Sequence, residues 1–366
     1  MGAGKILIEA SEAYRNRSGI GRFSRALIAH LPPDLPLAFS PPDYAARQHT
    51  HAVRTALGRA VHAVEHLWLT QIAVLRAVRT ERPALLHSLS FFVPLLAGSL
   101  PCTATFFDLA CFDLPHEVDR LWGAYGRLMM PLAARRAAAL ITPSEVMRQA
   151  IMARFGLPPE RVHRIDAGVD PHFRPVTDPP ALERVRRRYG IEGAFVLYVG
   201  AWHANKNLPV LLQACAPLPE VTVVITGTPH TPQEARLIAL AQALGGRVIF
   251  TGYVPDEDLP ALYSAAVAAV LPSRYEGFGL TVLEAMACGA PVIVSDIPVL
   301  AETAGGAALT FPPDSPEALR EAVRSLLTSE SEREYWRGQA LARAACSTWR
   351  RTAEGLVRVW EGLQQK

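Results

Sequence analysis

Short apolar runs alternate with segments of helical period through the second half of this chain. The apolar runs predict strands at residues 195–200, 221–227, 247–251, 267–271, 291–295 and 308–311. The segments between them have the spacing of amphipathic helices. This alternation predicts a parallel sheet with helices on both faces, and it places bound ligands at the carboxyl ends of the strands.

The first half shows the same alternation less regularly. Its strands are predicted at 5–9, 85–87, 102–107 and 139–143. A chain of 366 residues, half of them hydrophobic, can bury two cores. The sequence therefore predicts two α/β domains, and it divides into residues 1–175, a charged linker at 176–193, residues 194–345 and a C-terminal segment at 346–366.

Charge and cysteine content narrow the class of protein. The net charge of +3 gives no reason to expect a nucleic-acid partner. Residues 1–175 contain 20 basic and 14 acidic side chains, and this net +6 fits weak attraction to an anionic acceptor or membrane surface. The five cysteines form no CxxC pair, which favours reduced thiols over a disulfide framework or a zinc site.

The start of the chain and its hydropathy indicate a location. The first residues predict a strand rather than a signal peptide. No apolar run reaches the roughly 18 to 20 residues of a membrane span. We therefore expect a cytoplasmic protein, either soluble or in peripheral contact with the inner face of the cell membrane.

The stretch from Ser273 to Pro291 carries the clearest chemistry. It predicts the end of a strand, a turn containing glycine and a helix over Leu280–Ala287. Gly277 and Gly279 have no Cβ to keep a ligand from the turn. The first N–H groups of the helix lack partners within it, and a diphosphate is a natural occupant of such a helix N-terminus.

Two carboxylates flank this proposed anion site. Glu276 precedes the turn and Glu284 lies one helical turn after Leu280. Because carboxylates repel phosphate, we expect them to bind hydroxyl groups, one of a sugar and one of a ribose. The alternative is that Glu276 is a helix N-terminal charge and Glu284 a solvated helix residue.

Lysine is almost absent from the chain. Of 37 basic residues only Lys5, Lys206 and Lys366 are lysine, so Lys206 is the single one far from a terminus. A compact ammonium group is well suited to phosphate oxygens.

The stretch that contains Glu276 and Glu284 resembles the signature of family 4 of the retaining glycosyltransferases. The resemblance implies the GT-B fold, in which two Rossmann-like, doubly wound parallel-sheet domains face a central cleft, and the last helix crosses back to the first domain. It assigns the donor sugar to Glu276 and the ribose to Glu284. It assigns the diphosphate to the backbone of Gly277, Phe278, Gly279, Leu280 and Thr281.

Other segments extend the resemblance. The loop from Gly200 to Asn207 is similar to the Arg-Lys-Asn loop of the family, with Lys206 at the lysine position and Asn205 in place of arginine. Gly19 and Gly21 lie in a Gly-Ile-Gly-Arg-Phe run similar to one in a bacterial branch of the family, and they imply further contact with donor phosphate. The backbone at Val254 matches the loop that contacts the nucleotide base.

The first half also departs from the family. Where the family commonly has His-Asp, this chain has Phe107-Asp108. Asp108 keeps the acidic position and is a candidate catalytic residue together with Glu276 and Lys206. Phe107 forms an apolar wall of the sugar pocket, alters the site, or merely packs.

The resemblance implies transfer of a hexose, with mannose from GDP-mannose as the first choice and a UDP-sugar as the competitor. The implied reaction retains configuration and needs no metal and no cofactor besides the nucleotide sugar. The acceptor is a glycan or lipid-linked glycan in bacterial polysaccharide biosynthesis, contacted by loops at 10–18, 40–50 and 88–120. Residues 121–139 predict a helix that is amphipathic by its period and that the resemblance places near acceptor or membrane.

Two alternatives stay open. One is an epimerase or phosphorylase on the same fold. The other is a catalytically silent partner protein that binds donor or stabilises an active transferase, for which Phe107 and Asn205 are the motivation.

Overall fold

The chain folds into two units in the computed structural model, which describes residues 4–15, 19–43, 64–227, 233–242, 244–245 and 247–365. The first unit comprises Met1–Gly168 and Trp349–Lys366, and the second comprises Val169–Thr348. Parts of the predicted acceptor loops, at 16–18 and 44–50, lie outside the described residues. No helix within the described ranges is long and apolar enough to cross a membrane.

The first unit contains a parallel six-stranded sheet in the order β2-β1-β3-β4-β5-β6. Its strands are β1 (Ile6–Glu9), β2 (Leu37–Ser40), β3 (Leu85–Ser88), β4 (Cys102–Thr105), β5 (Ala139–Thr142) and β6 (Val162–Arg164). Its helices are Ser11–Arg15, Gly19–His30, Val74–Glu81, Ala110–Asp113, Arg120–Arg136, Glu145–Phe155 and Trp349–Gln364, with a π-helical turn at Trp68–Ala73 and a 3₁₀ turn at Pro159–Arg161.

The second unit contains another parallel six-stranded sheet, in the order β12-β11-β10-β7-β8-β9. Its strands are β7 (Ala194–Tyr198), β8 (Val221–Thr226), β9 (Val248–Gly252), β10 (Ala268–Leu271), β11 (Val292–Ser295) and β12 (Leu309–Phe311). Its helices are Pro179–Tyr189, Leu208–Cys215, Gln233–Gln242, Leu259–Ala265, Leu280–Ala287, Pro298–Ala304, Pro316–Thr328 and Glu330–Ala345, with a 3₁₀ turn at Ala204–Lys206. The predicted α/β class with parallel sheets is confirmed.

The core of the second unit lies on both faces of its sheet. Along β7, Phe195 and Leu197 belong to one buried cluster, whereas Val196 and Tyr198 belong to the other. Successive side chains of a strand point to opposite faces, so a strand covered on both sides must be apolar at every position. This is why β7 appears in the sequence as a continuous apolar run.

The predicted linker at 176–193 differs from what the structure shows. This segment contains the helix Pro179–Tyr189, begun by Asp178, whose side chain accepts from the N–H of Ala181. Val185 on that helix is fully buried in the core of the second unit. Prolines at the first helical positions and a charged exposed face explain why the sequence was interpreted as a linker.

His87 is the most strongly perturbed histidine described. It is fully buried in β3, its Nδ1 lies 2.9 Å from Thr103 Oγ1, and its ring contacts Trp360 at 5.3 Å between centroids. Burial lowers the pKa of His87 to about 3. The folded protein therefore holds a neutral imidazole at pH values where the unfolded chain protonates it.

We predict that acid weakens the fold partly through His87. Its folded pKa is depressed, so its contribution is complete above the unfolded value of about 6.5 and is lost as pH falls toward the folded value. Between pH 7 and pH 5, His87→Gln should lose about 2 kcal/mol less free energy of unfolding than the wild type, measured by urea denaturation. The exposed His116→Gln should behave as wild type, and an unchanged loss in His87→Gln would contradict the assignment.

Candidate active site

The candidate site lies where the strand order of the second sheet reverses. β7 pairs with β8 on one side and with β10 on the other, so the chain leaves β7 and β10 from neighbouring carboxyl ends. At such a reversal the connections diverge and leave a crevice for ligands. The loop after β7 contains Lys206, and the loop after β10 contains Glu276.

Backbone hydrogen bonds join these two loops. The N–H of Arg274 donates to the carbonyl of Asn205 at 2.7 Å, and Asn205 Nδ2 donates to the carbonyl of Tyr275 at 3.0 Å. Asn205, which stands where the family has arginine, therefore fixes the loop that carries Glu276. Its amide supplies geometry in place of the absent charge.

Lys206 and Glu276 form an ion pair at the centre of the site. Lys206 Nζ donates to Glu276 Oε1 at 2.7 Å, and the two side chains are 21% and 14% exposed. Both groups are thus accessible from one side. Their union brings together two of the three predicted catalytic residues.

Ser273 holds Glu276 from the protein side. Its hydroxyl donates to Glu276 Oε1 at 2.7 Å, so the same oxygen accepts from Ser273 and from Lys206. Neither of these bonds uses Oε2. Ser273 is itself buried, and its carbonyl accepts a hydrogen bond from the hydroxyl of Ser295.

Gly200 begins the Lys206 loop in a place with no room for a side chain. A Cβ there would lie 2.8 Å from the hydroxyl oxygen of Tyr198, and a Cβ on Gly227 would lie 2.0 Å from the carbonyl oxygen of Gly200. The Tyr198 hydroxyl donates to the carbonyl of Ala201 at 2.8 Å. Burial and the charge of Glu276 raise the Tyr198 pKa, which keeps that donor protonated.

The helix after the Glu276 loop begins as predicted, at Leu280. Gly279 precedes it in the left-handed region, with φ 90° and ψ 52°, and a Cβ there would lie 2.7 Å from Leu300 Cδ2. Both facts require glycine. The N–H groups of Leu280 and Thr281 have no acceptor inside the helix, so they are available to an anion.

The remaining signature positions differ in their surroundings. The hydroxyl of Thr303 donates to the carbonyl of Phe278, which fixes the turn. Glu284 is buried, so the alternative that it is a solvated helix residue is wrong. Val254 is also buried in the core, which leaves only its backbone for a nucleotide base.

The first-unit candidates occupy other surroundings. Gly19 and Gly21 lie inside the first turn of the helix Gly19–His30, not in a loop before it as expected. Asp108 Oδ1 accepts from the N–H of Ala110 at 2.9 Å, at the start of the short helix Ala110–Asp113. Phe107 is buried, with edge contacts to Phe23 at 5.0 Å and Phe91, which supports packing as its role.

Sequence reasoning gave no role to several residues that shape the site. Ser273 stands three positions before Glu276, a spacing that allows a side-chain hydrogen bond and could have indicated the contact. Asn207 closes the Lys206 loop in the left-handed region at φ 53°, and its Nδ2 donates to the carbonyl of Pro313. Arg274 pairs with Asp314 at 2.6 Å. The last two contacts join distant segments and leave no local pattern.

Comparison with known proteins supports this site. The profile of Glycosyltransferase Family 4 matches residues 19–173, and that of Glycosyl transferases group 1 matches residues 183–343. The O-antigen chain mannosyltransferase B of Escherichia coli is 30% identical over 281 residues, which cover 75% of this chain and 73% of that protein. The serotype-specific mannosyltransferase WbdA of Escherichia coli is 31% identical over 244 residues, or 63% of this chain and 30% of that longer protein.

The fold has clear relatives among solved structures. HepE from Anabaena, in complex with UDP and glucose, superposes with a TM-score of 0.75 at 19% identity, covering 98% of this chain and 100% of that one. The two parallel sheets and the site between β7 and β10 thus define a glycosyltransferase of the GT-B fold. The chain belongs to the family 4 glycosyltransferases, in the group that includes bacterial mannosyltransferases.

We predict that Ser273 positions Glu276 for the reaction. Ser273→Ala removes a hydrogen bond to a carboxylate, a contact worth about 1.5 to 3 kcal/mol, so kcat/KM should fall by about 10 to 100-fold. The control is Ser264→Ala, which removes a serine of the same unit that bonds the N–H of Val176 and the carbonyl of Cys288. Equal losses of activity in both variants at equal stability would contradict a specific role.

Proposed function

We propose that this glycosyltransferase transfers a hexose, mannose from GDP-mannose in the first instance, to a glycan or lipid-linked glycan of a bacterial polysaccharide, with retention of configuration. The observation that carries the proposal is the Lys206–Glu276 pair in front of the helix that begins at Leu280. It unites a phosphate-binding cation, a sugar-binding carboxylate and free helical N–H groups.

The leaving group determines the chemistry. As the bond from the anomeric carbon to the diphosphate breaks, negative charge grows on the departing oxygen. Lys206 and the N–H groups of Leu280 and Thr281 can stabilise that charge without a metal ion. The acceptor hydroxyl oxygen bonds to the anomeric carbon from the same side, and its proton passes to the diphosphate oxygen.

The ion pair seen here is suited to exchange on donor binding. A diphosphate competes with Glu276 for the ammonium of Lys206, because it offers more negative charge. Ser273 keeps its bond to Oε1 during that exchange, and Glu276 can accept from hydroxyls of the sugar. Glu284 is assigned to the ribose and the Val254 backbone to the base.

The remaining assignments are to the first unit and to the substrates. Gly19 and Gly21, in the first turn of their helix, are assigned to donor phosphate, and Asp108 to the reacting sugar. The mannose assignment draws on two relatives named as mannosyltransferases, whereas HepE was solved with UDP and glucose. We therefore keep UDP-sugars as the competing donors. No cofactor beyond the nucleotide sugar is assigned.

We predict that one class of nucleotide sugar raises the melting temperature through Lys206. Donor at 100 times its dissociation constant should stabilise the protein by about 2.7 kcal/mol. A panel of GDP-, UDP-, ADP- and dTDP-sugars, measured by thermal melting, would identify the base. Lys206→Ala should abolish the shift, whereas Lys5→Ala, which breaks a surface Lys–Glu pair of 3.0 Å, should retain it.

A shift that persists in Lys206→Ala would remove the ammonium from the phosphate site. A shift with UDP-sugars and none with GDP-mannose would overturn the mannose donor and leave the site assignment intact.

We also predict that the purified protein slowly hydrolyses its donor. Lys206→Ala should slow this by about 10² to 10³-fold, equivalent to about 3 to 4 kcal/mol of transition-state stabilisation. Glu276→Ala should also abolish hydrolysis, and EDTA should leave the wild-type rate unchanged. Donor binding with no turnover by the wild type would favour the silent partner protein instead.

A further inference from the structure

Large apolar side chains are exposed along two helical segments of the first unit. One segment runs through residues 64–67, the π-helical turn Trp68–Ala73 and the helix Val74–Glu81, and the other is the helix Arg120–Arg136. Six residues define what we call the apolar–arginine surface, and each is between 38% and 66% exposed: Leu67, Trp68, Ile72, Leu121, Leu128 and Leu132. Exposure of so much apolar surface marks an interaction site.

The two segments are packed against each other, so their exposed faces adjoin. Buried His66 contacts the ring of Trp122 at 4.9 Å and that of Tyr125 at 6.1 Å between centroids. Leu67 follows His66 in sequence, and Leu121 precedes Trp122. The contact therefore brings the exposed ends of both faces into one neighbourhood.

The leucines of the second helix lie on one stripe. Leu128 and Leu132 are seven and eleven positions after Leu121, spacings that return to the same face of an α-helix. The buried residues Met129 and Met130 face the core of the unit instead. The stripe is therefore surplus to the fold and available to a partner.

Arginines surround these apolar side chains, and acids do not. The helix Arg120–Arg136 contains four arginines and no acidic residue, and Asp119 in front of it is engaged as its N-cap. On the first segment, the charged residues from Trp68 to Thr80 are Arg76 and Arg79. Arg76 lies over the Trp68 ring at 5.8 Å, so its stem adds to the apolar area while its charge faces outward.

We infer that the apolar–arginine surface binds the surface of an anionic lipid bilayer. Leucine and tryptophan suit the boundary between head groups and acyl chains, and arginines without acids suit anionic head groups. The inference deepens the proposed function and rests on it only in the choice of a lipid-linked acceptor, because binding to lipid needs no nucleotide sugar. A second copy of the chain would repel this surface through its like charges.

The test is cosedimentation with vesicles of phosphatidylcholine, alone or mixed with phosphatidylglycerol. The wild type should bind the mixed vesicles, bind those of phosphatidylcholine less, and lose binding as salt rises. Leu121→Gln with Leu128→Gln should weaken binding by about ten-fold per leucine, and Arg120→Gln with Arg135→Gln should remove the preference for phosphatidylglycerol. Tyr335→Gln, an exposed aromatic of the second unit, should bind as wild type.

Each other outcome overturns the inference. Absence of wild-type binding to both vesicle types excludes a lipid partner. Equal binding by the leucine variant, or equal loss in Tyr335→Gln, removes this surface from the contact. Dimerisation in light scattering that the leucine variant abolishes, without vesicle binding, assigns the surface to a second copy.

The melting temperature of each variant establishes that it is folded. Donor hydrolysis measured without vesicles separates the two proposals. Hydrolysis without vesicle binding defeats only the lipid inference, and vesicle binding without hydrolysis defeats only the proposed reaction.

Discussion

The pairing of β7 with β10 is the contact on which the candidate site depends. It aligns Val196 with Ala268 and Leu197 with Ala269, although the two strands are far apart in sequence. With β7 as strand one, the sheet order is 3-2-1-4-5-6, the order of dinucleotide-binding sheets. Both strands therefore end at one edge, and the loops that carry Lys206 and Glu276 have no choice but to meet.

The ion pair itself contributes little to holding that geometry. Lys206 and Glu276 are both partly exposed, and water screens such pairs, so their net contribution to stability is small. The loops are fixed instead by groups that water does not reach as readily, above all buried Ser273 and the hydrogen bonds of Asn205. The charged residues are thus free to exchange partners while their backbone stays in place.

Local patterns in the sequence predicted the elements of the site well. The helix Leu280–Ala287 has its predicted bounds, because a glycine turn, an apolar run and a glycine stop act over neighbouring residues. All six strands of the second sheet were found for a related reason, since strands buried on both faces are apolar at every position. The single internal lysine was also sufficient to single out Lys206.

Contacts between distant segments could not be predicted in the same way. The bond from Asn205 to Tyr275 spans the two loops, and nothing near Asn205 in sequence indicates its acceptor. The helix at Pro179–Tyr189 was missed because its exposed arginines dominate its composition, and only the packing of Val185 shows that it belongs to the second unit. Such features are decided by tertiary packing rather than by local preference.

The first sheet shows why topology alone does not make a site. Its order also reverses at its first strand, between β1 and β3, where Glu9 pairs with Ser88. There, however, the Glu9 carboxyl is fully buried, accepts from the N–H of Ser11 and the hydroxyls of Ser88 and Ser90, and has its pKa raised by burial. Its hydrogen bonds are used within the protein, so this edge is closed where the edge at β7 and β10 is open. The same sheet topology supports a ligand only where the side chains at the strand ends keep both charge and access to solvent.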